Sequence, residues 1–219
     1  MRKLKKTNSK SFNSENLKKL VNDKINIKGN WDATDWCLNR NVVLLGQGKK
    51  IKKYRKNLEK FIKNKNCKVI SLNINKNFPS KLIDYYVASY EERFMIDYNE
   101  YKKLNKKLIL PLDRMKKIIN KVELQKVKNY GLFLKKDTFK VFDKYCELPK
   151  SLVVGYAMAL CLVGGAKNIY LAGFDGYKNN ISLNEEMNSY LIDIKKHLPQ
   201  LKFFSLTPTN YSISKKLIV

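Results

Sequence analysis

The sequence predicts a single Rossmann-like α/β domain, a mostly parallel sheet with helices on both faces, preceded by an N-terminal helical extension. Three observations predict it. Short apolar runs, suited to strands buried on both faces, alternate with amphipathic segments of helical period. The first run ends in the glycine loop Gly46-Gln47-Gly48 and leads into a helical segment. Later runs end in glycine-rich or polar clusters, as strand ends that face a ligand crevice do.

Residues 1–40 are polar and rich in Lys and Asn, with an amphipathic stretch over 12–27 and a break at Gly29-Asn30-Trp31-Asp32. They are expected to form a basic extension and linker, with the domain spanning 41–219. Val42-Val43-Leu44-Leu45 is the first expected strand. Residues 49–64 place Ile51, Tyr54, Leu58, Phe61 and Ile62 at helical spacing between lysines. Strands are expected over 68–72 and 83–88, a helix over 91–104, and a strand over 107–110 closed by Pro111. Residues 113–147 carry no clear period. The almost wholly apolar stretch 151–163, with Gly155 and Ala157, predicts a buried helix. Gly164-Gly165 then leads to a strand over 168–172, a helix over 184–198 and a last strand over 201–206. There is no internal repeat.

With 219 residues, 44% of them hydrophobic, the chain can bury one sizeable core. No run of eighteen apolar residues occurs, and the basic start Met1-Arg2-Lys3 is followed by polar residues, so a cytoplasmic protein is expected. The four cysteines form no CxxC pair and the chain has one histidine, which argues against a zinc site; Cys67 and Cys161 read as core residues. The formal net charge of +26 is compatible with nucleic acid, an anionic membrane face or phosphorylated substrates. Scattered lysines are most simply solvated faces, and no aromatic RNP strand or GxxG clamp accompanies them.

Four strand ends carry candidate chemistry. Gly46-Gln47-Gly48-Lys49 would let the backbone approach a phosphate at a helix start, although it lacks the third glycine of GxGxxG and the GK[ST] of a P-loop, and a plain tight turn explains it about as well. Asn73 could both donate to and accept from a base or sugar. Gly173-Phe174-Asp175-Gly176-Tyr177 could bind a sugar hydroxyl or ribose through Asp175, or be turn chemistry alone. Thr207, Thr209, Asn210 and Tyr211 follow the last strand. Convergence of all four on one sheet edge is the main argument for a site. His197, within a helix away from those ends, is expected to be a surface residue. Asp175, Glu185 and Glu186 are the carboxylates best placed to serve as a base, and Asp175 and Glu186 are taken as the catalytic candidates. No GxSxG, HExxH or DxD motif is present, and no metal is expected.

The glycine loop, Asn73, the run Ala166 to Tyr177 and the terminal Ser205-Leu206-Thr207-Pro208-Thr209-Asn210-Tyr211 resemble the bacterial sialyltransferase-like superfamily, over about residues 41–211. That group includes CMP-sialic-acid-dependent sialyltransferases and motility-accessory proteins that glycosylate flagellin. Tyr86 to Phe94, including Ser89 and Arg93, together with Gly173 to Tyr177 and Thr207-Pro208-Thr209, is similar to a C-terminal domain fused to HMG-CoA-lyase-like aldolases of bacterial cell-surface polysaccharide clusters. The resemblance implies that Gly46, Gly48 and Asn73 line a CMP pocket, that Ser89 lies near the sugar, and that Asp175, Gly176 and Tyr177 edge the donor site. Two departures stand out. Lys49-Lys50 replace the Pro-Ser that continues the sialyltransferase loop, and no histidine lies between Lys178 and Ser189, where the catalytic one belongs.

The expected function is therefore glycosyltransferase-like, in surface polysaccharide or glycoconjugate assembly, with a CMP-sugar or other nucleotide-sugar as co-substrate and a glycan acceptor. The alternative is a non-catalytic binding domain working with a separately encoded aldolase. A nucleic-acid-binding protein ranks third, on charge alone. Peripheral contact with the inner face of the membrane is compatible with that charge.

Overall fold

The computed structural model describes residues 29–104, 106–115, 126–177 and 179–218. The amphipathic stretch expected over 12–27 lies outside them. Seven parallel strands form the central sheet in the order β10-β9-β1-β2-β3-β4-β5. These are β1 (Asn41–Leu45), β2 (Lys68–Leu72), β3 (Tyr85–Val87), β4 (Lys107–Leu110), β5 (Val127–Asn129), β9 (Asn168–Ala172) and β10 (Phe203–Ser205). The Rossmann-like α/β expectation holds, and its physical basis is visible in β1. Val42 and Leu44 pack into one apolar cluster and Val43 and Leu45 into another, so the strand is buried on both faces.

The first cluster lies under α5 (Val153–Val163) and α6 (Ile181–His197), and also takes in Leu132, Cys146 and Leu148 of a small sheet. That sheet comprises β6 (Gly131–Leu134), β7 (Lys140–Val141) and β8 (Tyr145–Leu148), in the order β6-β8-β7. The second cluster lies under α1 (Lys50–Lys53), α2 (Arg55–Asn64), α3 (Glu91–Ile96) and α4 (Tyr98–Leu104), through Ile51, Leu58, Phe94 and Tyr101. Each fully buried side chain of this size contributes about 1.5–3 kcal/mol.

Two expected helices are each divided. Tyr54 separates α1 from α2, and Asp97 separates α3 from α4. Residues 113–147 hold β5 and the small sheet. These strands have two to four residues each, too short to show a period, and they exist because β6 pairs with β8 in parallel and β8 with β7 in antiparallel. Residues 29–38, within the expected linker, pack on the same face as α5. Trp31 N donates to Asn129 O, Trp36 Nε1 to Leu160 O, and Ala33 and Cys37 are buried. Gly29 sits so tightly on the joint between β5 and β6 that a Cβ would overlap Asn129 O.

Candidate functional site

Chain order fixes where a crevice opens. From β1 the chain runs outward through β2, β3, β4 and β5, then returns to place β9 on the other side of β1. The helices that follow β1 and β9 therefore lie on opposite faces of the sheet, which makes this carboxyl edge the topological switch point at which open α/β sheets bind ligands. A crevice of about 370 Å³ lies there, lined by residues from the β1 loop, Asn73, the β9 loop, the start of α5, Met187 and Tyr211. That volume is within the roughly 300–1,000 Å³ typical of small-molecule sites.

Both loops are shaped by mutual contact. Gly46 N donates to Ala172 O at 2.8 Å and Gly48 N to Gly173 O at 2.9 Å. A Cβ on Gly46 would come within 2.6 Å of Gly173 O, and one on Gly48 within 2.5 Å of the Asp175 carboxyl. The glycines are thus required for two loops to approach, and their amides are directed at the β9 loop. This differs from a phosphate cradle, in which those amides would face the anion. Gly173 and Gly176 take φ of 75° and 91°, conformations that side-chain-bearing residues rarely adopt.

Asp175 links the two loops. Its Oδ2 accepts from Lys50 N at 2.9 Å, and its backbone carbonyl accepts from Asn210 N at 3.3 Å. Its Oδ1 is buried and has no partner among the described residues. Asn73, just past β2, has φ of 59°; its backbone N donates to Val87 O at 2.9 Å, its side-chain amide makes no hydrogen bond among the described residues, and the residue lines the crevice. Tyr211 is buried at the crevice wall. Burial first, then Tyr177 and Asp175, pushes its hydroxyl up to about 12. Tyr177 is 46% exposed at the rim. Leu152, Val153, Val154, Phe174 and Met187 supply the apolar part of the lining. The lining thus combines apolar side chains with the polar groups of Gln47, Asn73, Asp175, Tyr177 and Tyr211.

Of the residues expected from sequence, Gly46, Gln47, Gly48, Asn73, Gly173, Asp175, Gly176, Tyr177 and Tyr211 line this crevice. The others do not. Thr207 Oγ1 accepts from Gly173 N and Thr209 Oγ1 from Tyr211 N, so both hold the loops in place. Asn210 does the same through its backbone amide. Ser89 is buried and donates to Ser151 O at 2.6 Å, Arg93 pairs with Asp97 at 3.0 Å, and Lys49 is exposed. Glu186 forms an exposed ion pair with Lys150. His197 stacks on Phe139 near the far end of α6, ten residues or about 15 Å along the helix from Met187.

Sequence reasoning missed Asn75. It is buried, its Nδ2 donates to Gly46 O and its Oδ1 accepts from Asn77 N, so it props the glycine loop from below. Gln47 Nε2 adds a bond to Ile74 O at 2.8 Å. The alternating Asn73, Asn75 and Asn77 after a strand is the signal that could have found it. The apolar part of the lining was hidden for a different reason: α5 is apolar on all sides, so no period marks the residues that reach the crevice.

Among the described residues no group of three or more His, Cys, Asp or Glu is placed to hold a metal ion, and no helix is long and apolar enough to cross a membrane. No protein-family model matches the chain, and no curated protein matches it. Among solved structures it is similar to the MAf glycosyltransferase from Magnetospirillum magneticum AMB-1, with a TM-score of 0.56 and 14% identity. The match covers 86% of this chain and 35% of that one, so the chain spans about a third of its length. The likeness at this identity is one of fold, and the chain has a glycosyltransferase-like α/β fold.

Proposed function

We propose that the crevice between the β1 and β9 loops binds a nucleotide-activated sugar, CMP-linked in the first instance, and that the protein acts in glycosyl transfer to a surface glycan or glycoconjugate. The observation that carries this reading is the pairing, at the switch point of a glycosyltransferase-like fold, of a buried carboxylate oxygen without a partner, Asp175 Oδ1, with the unengaged amide of Asn73. A buried acceptor left unsatisfied costs about 1–3 kcal/mol, and a ligand hydroxyl admitted to it by a shift of the β1 or β9 loop would recover it. Work at the cytoplasmic face of the membrane, on a glycan acceptor, is part of the same proposal.

A second reading has its own observation. Among the described residues Asp175 is the one carboxylate lining the crevice, and its other oxygen caps α1, while Glu186 is held by Lys150 outside it. The chain would then bind the ligand without turnover, as the accessory of a separate aldolase.

Thermal unfolding with CMP, CMP-sugars and other nucleotide-sugars tests both. Saturating ligand at 100 times its Kd should stabilise the protein by about 2.7 kcal/mol. CMP release from a CMP-sugar favours the transferase, stabilisation without release favours the accessory domain, and no stabilisation by any nucleotide removes both.

A further inference from the structure

At the opposite edge of the sheet, a second cluster of chemistry-bearing residues has no part in that crevice. Alternation along the strands puts Lys68, Tyr85, Lys107 and Lys128 on one face of four adjacent strands. Ile70, two residues from Lys68, partners Tyr85; Tyr85 partners Lys107; and Ile109, two residues from Lys107, partners Lys128. Segment 29–38 lays both tryptophans of the chain over this row. Trp36 stands edge-on to Trp31 and to Tyr85, with ring centroids 5.6 and 5.2 Å apart, and is anchored by Nε1 to Leu160 O.

The ammonium groups sit against these rings. Lys68 Nζ lies 4.4 Å from the Trp36 ring, Lys128 Nζ 4.1 Å from Trp31 and Lys107 Nζ 6.0 Å from Tyr85. Cation–π contact orients an ammonium without neutralising it. Among the described residues no carboxylate is within ion-pair distance of any of the three. Asp84, whose charge Lys68 feels, has Oδ2 engaged by Val69 N. Burial lowers the Lys68 and Lys128 ammonium pKa values, and the neighbouring lysines lower that of Lys128 further. Lys68 Nζ also donates to Trp36 O, which ties segment 29–38 to β2, whereas the Lys107 and Lys128 ammonium groups have no hydrogen-bond or ion-pair partner among the described residues, and an anion between them would supply one.

We infer that the Lys68–Lys107–Lys128 cluster, framed by Trp31, Trp36 and Tyr85, is a binding site for a phosphate-type oxyanion, separate from the crevice. Lys68 and Lys128 are half-buried and supply the inner contacts, while Lys107 is exposed and closes the site from solvent. The ring faces are covered by the protein's own lysines, which favours a compact oxyanion over a stacked base. Lys68 begins β2 and Leu72, at the crevice, ends it, so the two sites stand about 13 Å apart along the strand.

Because both tryptophans lie in the cluster, their emission reports on it directly. Titration of the full chain with inorganic pyrophosphate, at ionic strength held constant with sodium chloride, should give a saturable change. Lys107→Gln and Lys128→Gln, which keep most of the aliphatic stem, should each weaken it about tenfold, the size of one charge-assisted hydrogen bond. A response to phosphatidic-acid vesicles but not to free pyrophosphate supports the site with a lipid headgroup as the source of the phosphate. The inference is overturned by an unsaturable change, by one that sodium chloride reproduces, or by one that survives the double substitution. CMP-induced thermal stabilisation of the double variant should match that of the unsubstituted chain, which keeps this outcome distinct from failure of the crevice proposal.

Discussion

Asn73 carries two properties that substitution can separate. Its φ of 59° is a left-handed conformation that costs a Cβ-bearing residue about 1–2 kcal/mol and glycine almost nothing. The residue also lines the crevice with a side-chain amide that has no hydrogen-bond partner among the described residues. Asn73→Gly should therefore leave urea-unfolding stability within about 1 kcal/mol and abolish stabilisation by nucleotide, while Asn73→Ala loses both. Stabilisation retained in the glycine variant would remove the amide from the site. Asp175 allows a similar separation. Asp175→Asn keeps an oxygen to accept from Lys50 N and replaces the unpartnered acceptor with a donor. Stability should change little and ligand binding should be lost, whereas Asp175→Ala should also cost about 1 kcal/mol through the lost cap.

Between elements, α5 and α6 meet closely at Gly155. Gly155 leaves room for the Tyr190 hydroxyl, which a Cβ would overlap, and that hydroxyl is buried without a partner among the described residues. Gly155→Ala should destabilise by about 1–3 kcal/mol through overpacking. Tyr190→Phe should be neutral or slightly stabilising, since it removes an unsatisfied polar group. Chemical denaturation of both single variants and the double should then give a coupling above about 0.5 kcal/mol, and strict additivity would show that the two residues do not meet. At this scale β1, β2, β4 and β9 were legible as apolar runs between turn residues, and α5 as a wholly apolar stretch. The small sheet was not legible, because its pairing joins residues such as Leu132 and Cys146 whose partnership is set across space.

For the whole molecule, burial of thiols and phenols determines how stability responds to base. Burial raises the Cys37 and Cys67 thiols from 9.0 to about 11, and raises Tyr86 and Tyr211 from 10.0 to about 12. Each group is held neutral by the fold, so its contribution is complete below the unfolded value and disappears as pH rises through the folded one. Unfolding free energy should be insensitive to these groups up to about pH 9 and should fall between about pH 9 and 12. The four thiols should also resist disulfide reagents until the protein unfolds, because all are buried. Rapid labelling of the native chain at neutral pH would contradict the packing of Cys37 and Cys161 between segment 29–38 and α5.

The sequence by itself determined the fold class and most residues of the crevice, because alternating apolar runs and helical periods are local patterns, and because glycine and polar residues at strand ends mark one edge of a parallel sheet. Only the tertiary structure decided what those residues do. It turned the glycines of the β1 loop from an anion cradle into points of contact with the β9 loop. It made Thr207 and Thr209 supports rather than lining, and it set one oxygen of Asp175 in a hydrogen bond and left the other without a partner. It also gathered Lys68, Lys107 and Lys128 from three strands around two tryptophans of the lead-in. Charge is a sum that any sequence shows, but its concentration at one place depends on strand order, which long-range pairing alone decides.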